Sequence, residues 1–237
     1  MSPIGIIGAM DSEVDNLITR MADTAVTEYA GRRFVTGTLA GKDVVVVQSG
    51  IGKVAAAITA QMLIDRYGVQ ALLNTGMAGG LDPRLAIKDL VVGIDALQHD
   101  FDLTAFGHAR GYIGGGGDDT VPTRFTADAG LVDKALAIAA QVLPTGSKAI
   151  TGTIASGDIF VDDSALKAVL RDDFGAAAAE MEGAAIAQTA AANGVPFLIL
   201  RTISDLAEHD ASVSFDELER YAGQLAGDIT TALLSAL

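Results

Sequence analysis

Four segments of this 237-residue sequence place carboxylates or clustered glycines where water should be scarce. They are Gly8-Ala-Met-Asp-Ser-Glu13, Asn74-Thr-Gly-Met-Ala-Gly-Gly80, Ala179-Glu-Met-Glu-Gly183 and Arg201-Thr-Ile-Ser-Asp205. Glu180 and Glu182 flank Met181 in an otherwise apolar stretch, and Asp205 follows the apolar run Phe197–Leu200. Burying a carboxylate is costly unless it finds partners. A carboxyl at the end of a buried strand is therefore a candidate for a raised pKa and for general acid work. The same positions also suit helix N-caps and first-turn partners of the helix dipole. Spacing alone leaves both readings open.

Other motifs fall short of the chemistry they suggest. Ser49-Gly-Ile-Gly-Lys53 ends like a phosphate-binding P-loop, but Val47 stands where that motif needs its first glycine and Val54 where it needs Ser or Thr. His99, His108 and His209 lack metal-ligand spacing. His99-Asp100-Phe101-Asp102 reads as a turn with solvated carboxylates. No Gly-x-Ser-x-Gly nucleophile elbow occurs.

The elements that must position these residues alternate between strand and helix. Ile4–Ile7 reads as a buried strand, and Asp11 or Ser12 as the cap of a helix reaching about Met21. Thr27–Tyr29, Arg33–Leu39 and Val44–Gln48 read as strands separated by glycine turns. Lys53–Tyr67 reads as a helix stopped by Gly68, and Ala71–Asn74 and Leu90–Asp95 as strands. Residues 98–125 look irregular. Ala127–Val142, Ser164–Asp172, Glu182–Asn193 and Phe215–Leu237 read as helices, and Ala149–Ala155 and Phe197–Thr202 as strands. The pattern implies one α/β domain over residues 1–237, with helices on both faces of a largely parallel sheet. In such folds ligands sit at the carboxyl ends of strands, where all four segments can converge.

Bulk properties narrow the partners. The formal net charge is -14. A phosphate-rich polymer would be repelled, so nucleic acid is not expected. Cysteine is absent, which excludes disulfides and thiolate metal clusters and agrees with a reducing cytoplasm. No apolar run is long enough to span a bilayer, and no membrane partner is expected.

Taken in order, a set of short motifs runs along nearly the whole chain. It comprises Gly5-Ile-Ile-Gly-Ala-Met10, Ser49-Gly-Ile-Gly-Lys-Val-Ala-Ala-Ala57, Asn74-Thr-Gly76, Ala78-Gly-Gly-Leu81, His99-Asp100 and Thr104-Ala-Phe-Gly107. Ser156-Gly-Asp158, Glu180-Met-Glu182, Ile203-Ser-Asp205 and Ser214-Phe-Asp-Glu217 complete it. Each is weak alone. Together they resemble the methylthioadenosine/adenosylhomocysteine nucleosidases, within the wider nucleoside phosphorylase family. The resemblance implies a three-layer αβα sandwich with a central twisted mixed sheet. It also implies hydrolysis of an N-glycosidic bond, without cofactor or metal, in a homodimer.

The same resemblance assigns roles. Glu13 matches the general base for the attacking water, with Arg201 nearby. Asp205 matches the acid that protonates the departing adenine, oriented by Ser204. Glu182 matches the carboxylate that grips the ribose hydroxyls, with Met181 against the sugar and Glu180 beside it. Phe160 should stack on adenine, although ordinary core packing is an equal reading of that residue, and the backbone of Val161 should read the base edge. Met77, Ala78 and Gly79 should line the site. Met10, Ile51, Phe106 and Phe215 should line an apolar 5′-pocket, and Leu103 should complete a neighbour's pocket. Met77 stands where relatives often carry Ser. His108 stands where they often carry Tyr, so a more polar 5′-tail, as in aminodeoxyfutalosine, is open. A purine nucleoside phosphorylase and a non-catalytic nucleoside sensor are the competing readings. The first would place arginines where Asp11, Glu13 and Leu72-Leu-Asn74 stand. The second should lack the base or the acid.

Overall fold

The computed structural model describes residues 2–114, 117–205 and 215–237, with side chains in the last segment from Glu217 onward. The chain runs through β1 (Ile4–Gly8), α1 (Asp11–Arg20), β2 (Ala22–Tyr29), β3 (Arg32–Leu39), β4 (Lys42–Gln48), α2 (Lys53–Tyr67), β5 (Ala71–Gly80) and β6 (Leu90–Gln98). A 3-10 turn at Thr104–Phe106 and the short β7 (Phe125–Thr126) lead to α3 (Ala129–Val142), β8 (Ala149–Ser156), α4 (Ser164–Asp172) and β9 (Ala176–Glu180). The chain closes with α5 (Gly183–Asn193), β10 (Phe197–Asp205) and α6 (Phe215–Ala236).

The strands form one mixed sheet in the order β10-β6-β8-β9-β5-β1-β4-β3-β2. Because β10 also pairs with β5, the strands β5, β10, β6, β8 and β9 close into a ring. Helices α2 and α5 pack together, and α6 packs on α1 and α3, which gives the layered α/β arrangement. β1 and Val44–Val47 of β4 are buried throughout, as a continuous apolar run in a covered sheet requires. The mixed sheet implied by the resemblance is present, but a largely parallel one is not. β2–β3, β3–β4, β5–β9, β6–β7 and β6–β10 all pair antiparallel. The β2–β3–β4 meander follows from its turns. Ala30-Gly31 and Ala40-Gly41 all adopt positive φ, the conformation of two-residue hairpins whose twist matches the strands.

Several strands are longer than their apolar cores. β5 continues through Gly80 and β10 through Asp205, and the two extensions pair with each other. The glycine-rich segment is therefore strand, not loop. β2 begins five residues before Thr27, fully exposed, where an edge hairpin needs backbone pairing more than apolar side chains. β9 is four alanines and a glutamate. Alanine favours helix, but here small side chains let β9 sit close beside β8, where a side chain at Gly152 would overlap Ala177. Helix α1 is capped by neither Asp11 nor Ser12. Met10 is the N-cap residue, and the carboxylate of Glu13 reaches back to its N–H, 3.1 Å away.

Candidate active site

Glu13 is drawn inward by backbone donors. Its Oε2 accepts from the N–H groups of Ala9 (2.6 Å) and Met10 (3.1 Å), and its Oε1 accepts from the N–H of Met77 (3.0 Å). Two glycines make room. A Cβ at Gly8 would press on Glu13 Cβ, and one at Gly76 would overlap Glu13 Oε1. Burial pushes the Glu13 pKa up, opposed by the charge of Arg201 and by the three backbone donors. Such a carboxylate is a stronger base than an exposed one.

Glu180 and Glu182 leave β9 side by side with different surroundings. Glu180 is saturated. Its Oε1 accepts from Ser156 Oγ, and its Oε2 accepts from Arg201 Nη2 and from the N–H groups of Glu182 (3.1 Å) and Gly183 (2.7 Å). Ser156 Oγ in turn accepts the N–H of Ala184 at 2.7 Å. Among the described residues the carboxylate of Glu182 accepts one hydrogen bond, from the N–H of Gly52 at 2.9 Å, and lies 4.0 Å from Arg201 Nη2. Burial and the neighbouring Glu180 charge push its pKa up to about 7, against the opposing pull of Arg201 and the Gly52 N–H.

Arg201 does not line the cavity. Only 2% of it is exposed. It stands behind the carboxylates, donating also to Asn74 Oδ1 (2.5 Å) and the carbonyl of Leu200 (3.2 Å). Asn74 Nδ2 donates to the carbonyl of Ile7, which ties β5 to β1. The surrounding carboxylates hold the guanidinium charged despite its burial. Arg201 therefore organises Glu180 and Asn74 from behind the cavity wall, close to Glu13 at Gly76.

Ser204 and Asp205 end β10 at a break in its register with β5 between Ile203 and Asp205, beside Gly79. Such irregularities re-aim side chains at functional sites. Ser204 Oγ donates to Asp205 Oδ2 at 3.2 Å and to the carbonyl of Ala78 at 3.3 Å. Asp205 Oδ1 lies 3.4 Å from Lys167 Nζ of α4.

One cavity of about 230 Å³ collects these groups. Met10, Glu13, Ile51, Met77, Ala78 and Gly79 line it, as do Phe160, Val161, Glu180, Met181, Glu182, Ser204 and Asp205. Ala9, Leu81, Ile159, Lys167 and Ala179 complete the wall and were not expected. Phe160 is not a core residue, since 71% of it is exposed at the rim. Leu103, Phe106 and His108 do not line the cavity of their own chain; Phe106 and His108 were expected at the 5′-pocket, and Leu103 at a neighbour's. Phe106 projects into solvent, and His108 pairs with Asp119 at 3.0 Å. They belong to the segment after β6, which does not fold back over the cavity of its own chain. The side chain of Phe215 lies outside the described residues.

The Ser49–Lys53 loop has a positioning task in place of phosphate binding. Lys53 Nζ donates to Gln98 Oε1 (3.1 Å) and Asp100 Oδ1 (2.5 Å). Asp100 Oδ2 accepts the N–H of Asp158, and Asp158 Oδ1 accepts the N–H of Lys53, both at 2.8 Å. The ends of β4, β6 and β8 are thus tied together. The tie fixes Gly52, which holds Glu182, and the strand end that carries Phe160.

A sequence model of the phosphorylase superfamily matches residues 3–237. The chain is 44% identical to a 5′-methylthioadenosine/S-adenosylhomocysteine nucleosidase of Shewanella halifaxensis, covering 99% of each chain. Among solved structures, the nucleosidase of that name from Colwellia psychrerythraea, in complex with adenine, has a TM-score of 0.89 and 40% identity, over 100% of this chain and 96% of that one. A futalosine hydrolase of Helicobacter pylori also has a TM-score of 0.89, at 35% identity over 100% and 98% of the two chains. With its fold and nearly its full length matched, the chain belongs to the phosphorylase superfamily and, within it, to the methylthioadenosine/adenosylhomocysteine nucleosidases.

Proposed function

We propose that the chain is an N-ribosyl hydrolase that releases adenine from 5′-methylthioadenosine and S-adenosylhomocysteine and leaves the 5′-thio-substituted ribose. The observation that carries this reading is the convergence of Glu13 from α1, Glu182 from the junction of β9 and α5, and Asp205 from the end of β10 on one mainly apolar cavity. Glu13 takes a proton from the water that attacks C1′. Its buried, backbone-held carboxylate suits a base. Glu182 holds the ribose hydroxyls and stabilises the positive charge that develops on the sugar. Asp205, steadied by Ser204, gives its proton to the departing base. Phe160 covers the adenine, and the backbone of Val161 meets its edge. Met10, Ile51 and Met77 offer soft apolar surface to the thioether.

Water is the nucleophile in this reading, not phosphate. Among the described residues the lining carries four carboxyl groups and one basic side chain, Lys167, which faces Asp205. A phosphate beside Glu13 would be repelled strongly in so buried a site.

The working form we propose is a cytoplasmic homodimer serving methionine salvage. Phe106, Val54, Ile51 and Ile58 form a set of exposed large apolar side chains. Ile51 lines the pocket, and the exposed Val54 and Ile58 that follow it on α2 fit an interface. Across it, Leu103, Phe106 and His108 would reach the neighbouring protomer's 5′-pocket. Aminodeoxyfutalosine as the preferred substrate is the second reading, favoured by the likeness to the Helicobacter pylori futalosine hydrolase. Adenine release from methylthioadenosine, adenosylhomocysteine and aminodeoxyfutalosine tests the choice. The two thio-nucleosides should be the better substrates. Faster turnover of aminodeoxyfutalosine would favour the second reading, and binding without adenine release from any of the three would make the protein a sensor.

A further inference from the structure

Lys167 is a helix residue that fails to behave like one. A lysine on a helix ordinarily runs its stem over the surface and leaves its ammonium in water. Lys167, in α4, is only 8% exposed and turns its head into the cavity wall. Its ion-pair partner is Asp205 Oδ1, 3.4 Å from Nζ. α4 is fixed for this purpose. Asp163 caps it by accepting the N–H groups of Ala165 (2.7 Å) and Leu166 (2.9 Å), and Leu170, one turn beyond Lys167, is fully buried. Desolvating an ammonium is expensive unless a charge answers it. The group that faces it is Asp205, the assigned acid, which supplies such a charge once its proton has gone.

Resting on the nucleosidase reading, we propose that Lys167 is a positioning residue for the acid, holding the carboxylate that Asp205 becomes once its proton has gone to adenine. As the C1′–N9 bond breaks, its electron pair stays with the base, and the Asp205 proton moves to the base. Asp205 is left as a carboxylate opposite the Lys167 ammonium, which keeps its own protons throughout. Meanwhile the attacking water adds to C1′ and gives a proton to Glu13. Solvent returns the acid and the base to their starting states. The ammonium is in place before charge develops on Asp205, so no reorganisation is needed during the step. Ser204 on Oδ2 and Lys167 on Oδ1 together fix the carboxyl plane.

A leaving group that needs no proton separates this role from a structural one. We would compare adenine release from methylthioadenosine with nitrophenolate release from 4-nitrophenyl 5-methylthioriboside, in wild type, Lys167→Met, Lys167→Gln and Lys167→Arg. K167M and K167Q should lower kcat for adenine release on the order of 10²-fold, with KM little changed. Nitrophenolate release should stay close to wild type, and K167R should recover part of the adenine rate. Using both neutral variants guards against one that folds poorly. Equal losses with both substrates, or no loss with either, would overturn the role of Lys167 while leaving the nucleosidase intact. A wild-type protein that releases nitrophenolate but no adenine would overturn the nucleosidase reading and this role with it.

Discussion

The carboxylate of Glu13 fills the space that a side chain at position 76 would occupy: a Cβ on Gly76 would overlap Glu13 Oε1 and approach Arg201 Nη1 to 3.1 Å. The backbone of β5 meets the base so closely that Met77 N–H can donate to it at 3.0 Å. A methyl group at position 76 should therefore displace the base without touching substrate. Gly76→Ala is expected to lower kcat on the order of 10²-fold and to cost about 1–3 kcal/mol of stability. Steady-state kinetics and urea denaturation of the same preparation check both.

The acid and the base are separable from the binding groups. Asp205→Asn keeps the shape and the Ser204 contact but has no proton to give. It should lower kcat by about 10²–10⁴-fold while methylthioadenosine still binds, as measured by calorimetry. Glu13→Gln should behave alike. A variant of either kind that retains near-wild-type turnover would remove that residue from the mechanism.

Glu182 carries a pH signature. Its carboxyl has a folded-state pKa of about 7 against an ordinary value of 4.5, chiefly from burial. A carboxyl with a raised folded-state pKa binds its proton more readily when folded. The stability it allows is full below the unfolded value and is lost as pH rises through about 7. Glu182→Gln removes this dependence. The Tm of E182Q minus that of wild type, both without ligand, should therefore increase between about pH 5 and pH 8. A constant difference would mean that Glu182 is not held in this raised state. Glu13, shifted in the same direction, should contribute a similar trend of its own.

Lys53 should matter through geometry alone. Its ammonium ties Gln98 and Asp100, while its backbone N–H meets Asp158. Lys53→Met releases the loop that presents the Gly52 N–H to Glu182 and the strand end that carries Phe160. KM for methylthioadenosine should rise roughly tenfold, with kcat changed much less. A fall in kcat at constant KM would place Lys53 nearer the reacting atoms than this structure does.

The chemistry was more legible in the sequence than the surfaces that carry it. Glu182 and Asp205 announce themselves as charges beside apolar runs and Glu13 only through the family resemblance, and the structure puts all three on one cavity. The alternation of apolar blocks with glycine stops located most helices and strands. The strand character of Thr75–Gly80 was hidden, because clustered glycines look like a turn until β10 and β9 supply partners. The strand Ala176–Glu180 was hidden by the helix preference of alanine, which packing between neighbouring strands overrides. Lys167 gave no local signal. A lysine on an amphipathic helix reads as surface, and its inward turn depends on where α4 lands. Leu103, Phe106 and His108 show the converse: they do not line the cavity of their own chain, and only the proposed second protomer would give them a place in a site.

The fate of the ribose carbon tests the central claim most directly. Wild-type enzyme would be given methylthioadenosine in ¹⁸O-water with saturating phosphate, and the sugar product analysed by mass spectrometry. Hydrolysis by water activated at Glu13 requires free 5-methylthioribose with the label on C1, at a rate unaffected by phosphate. Unlabelled 5-methylthioribose 1-phosphate, formed only when phosphate is present, would contradict it and make the protein a phosphorylase.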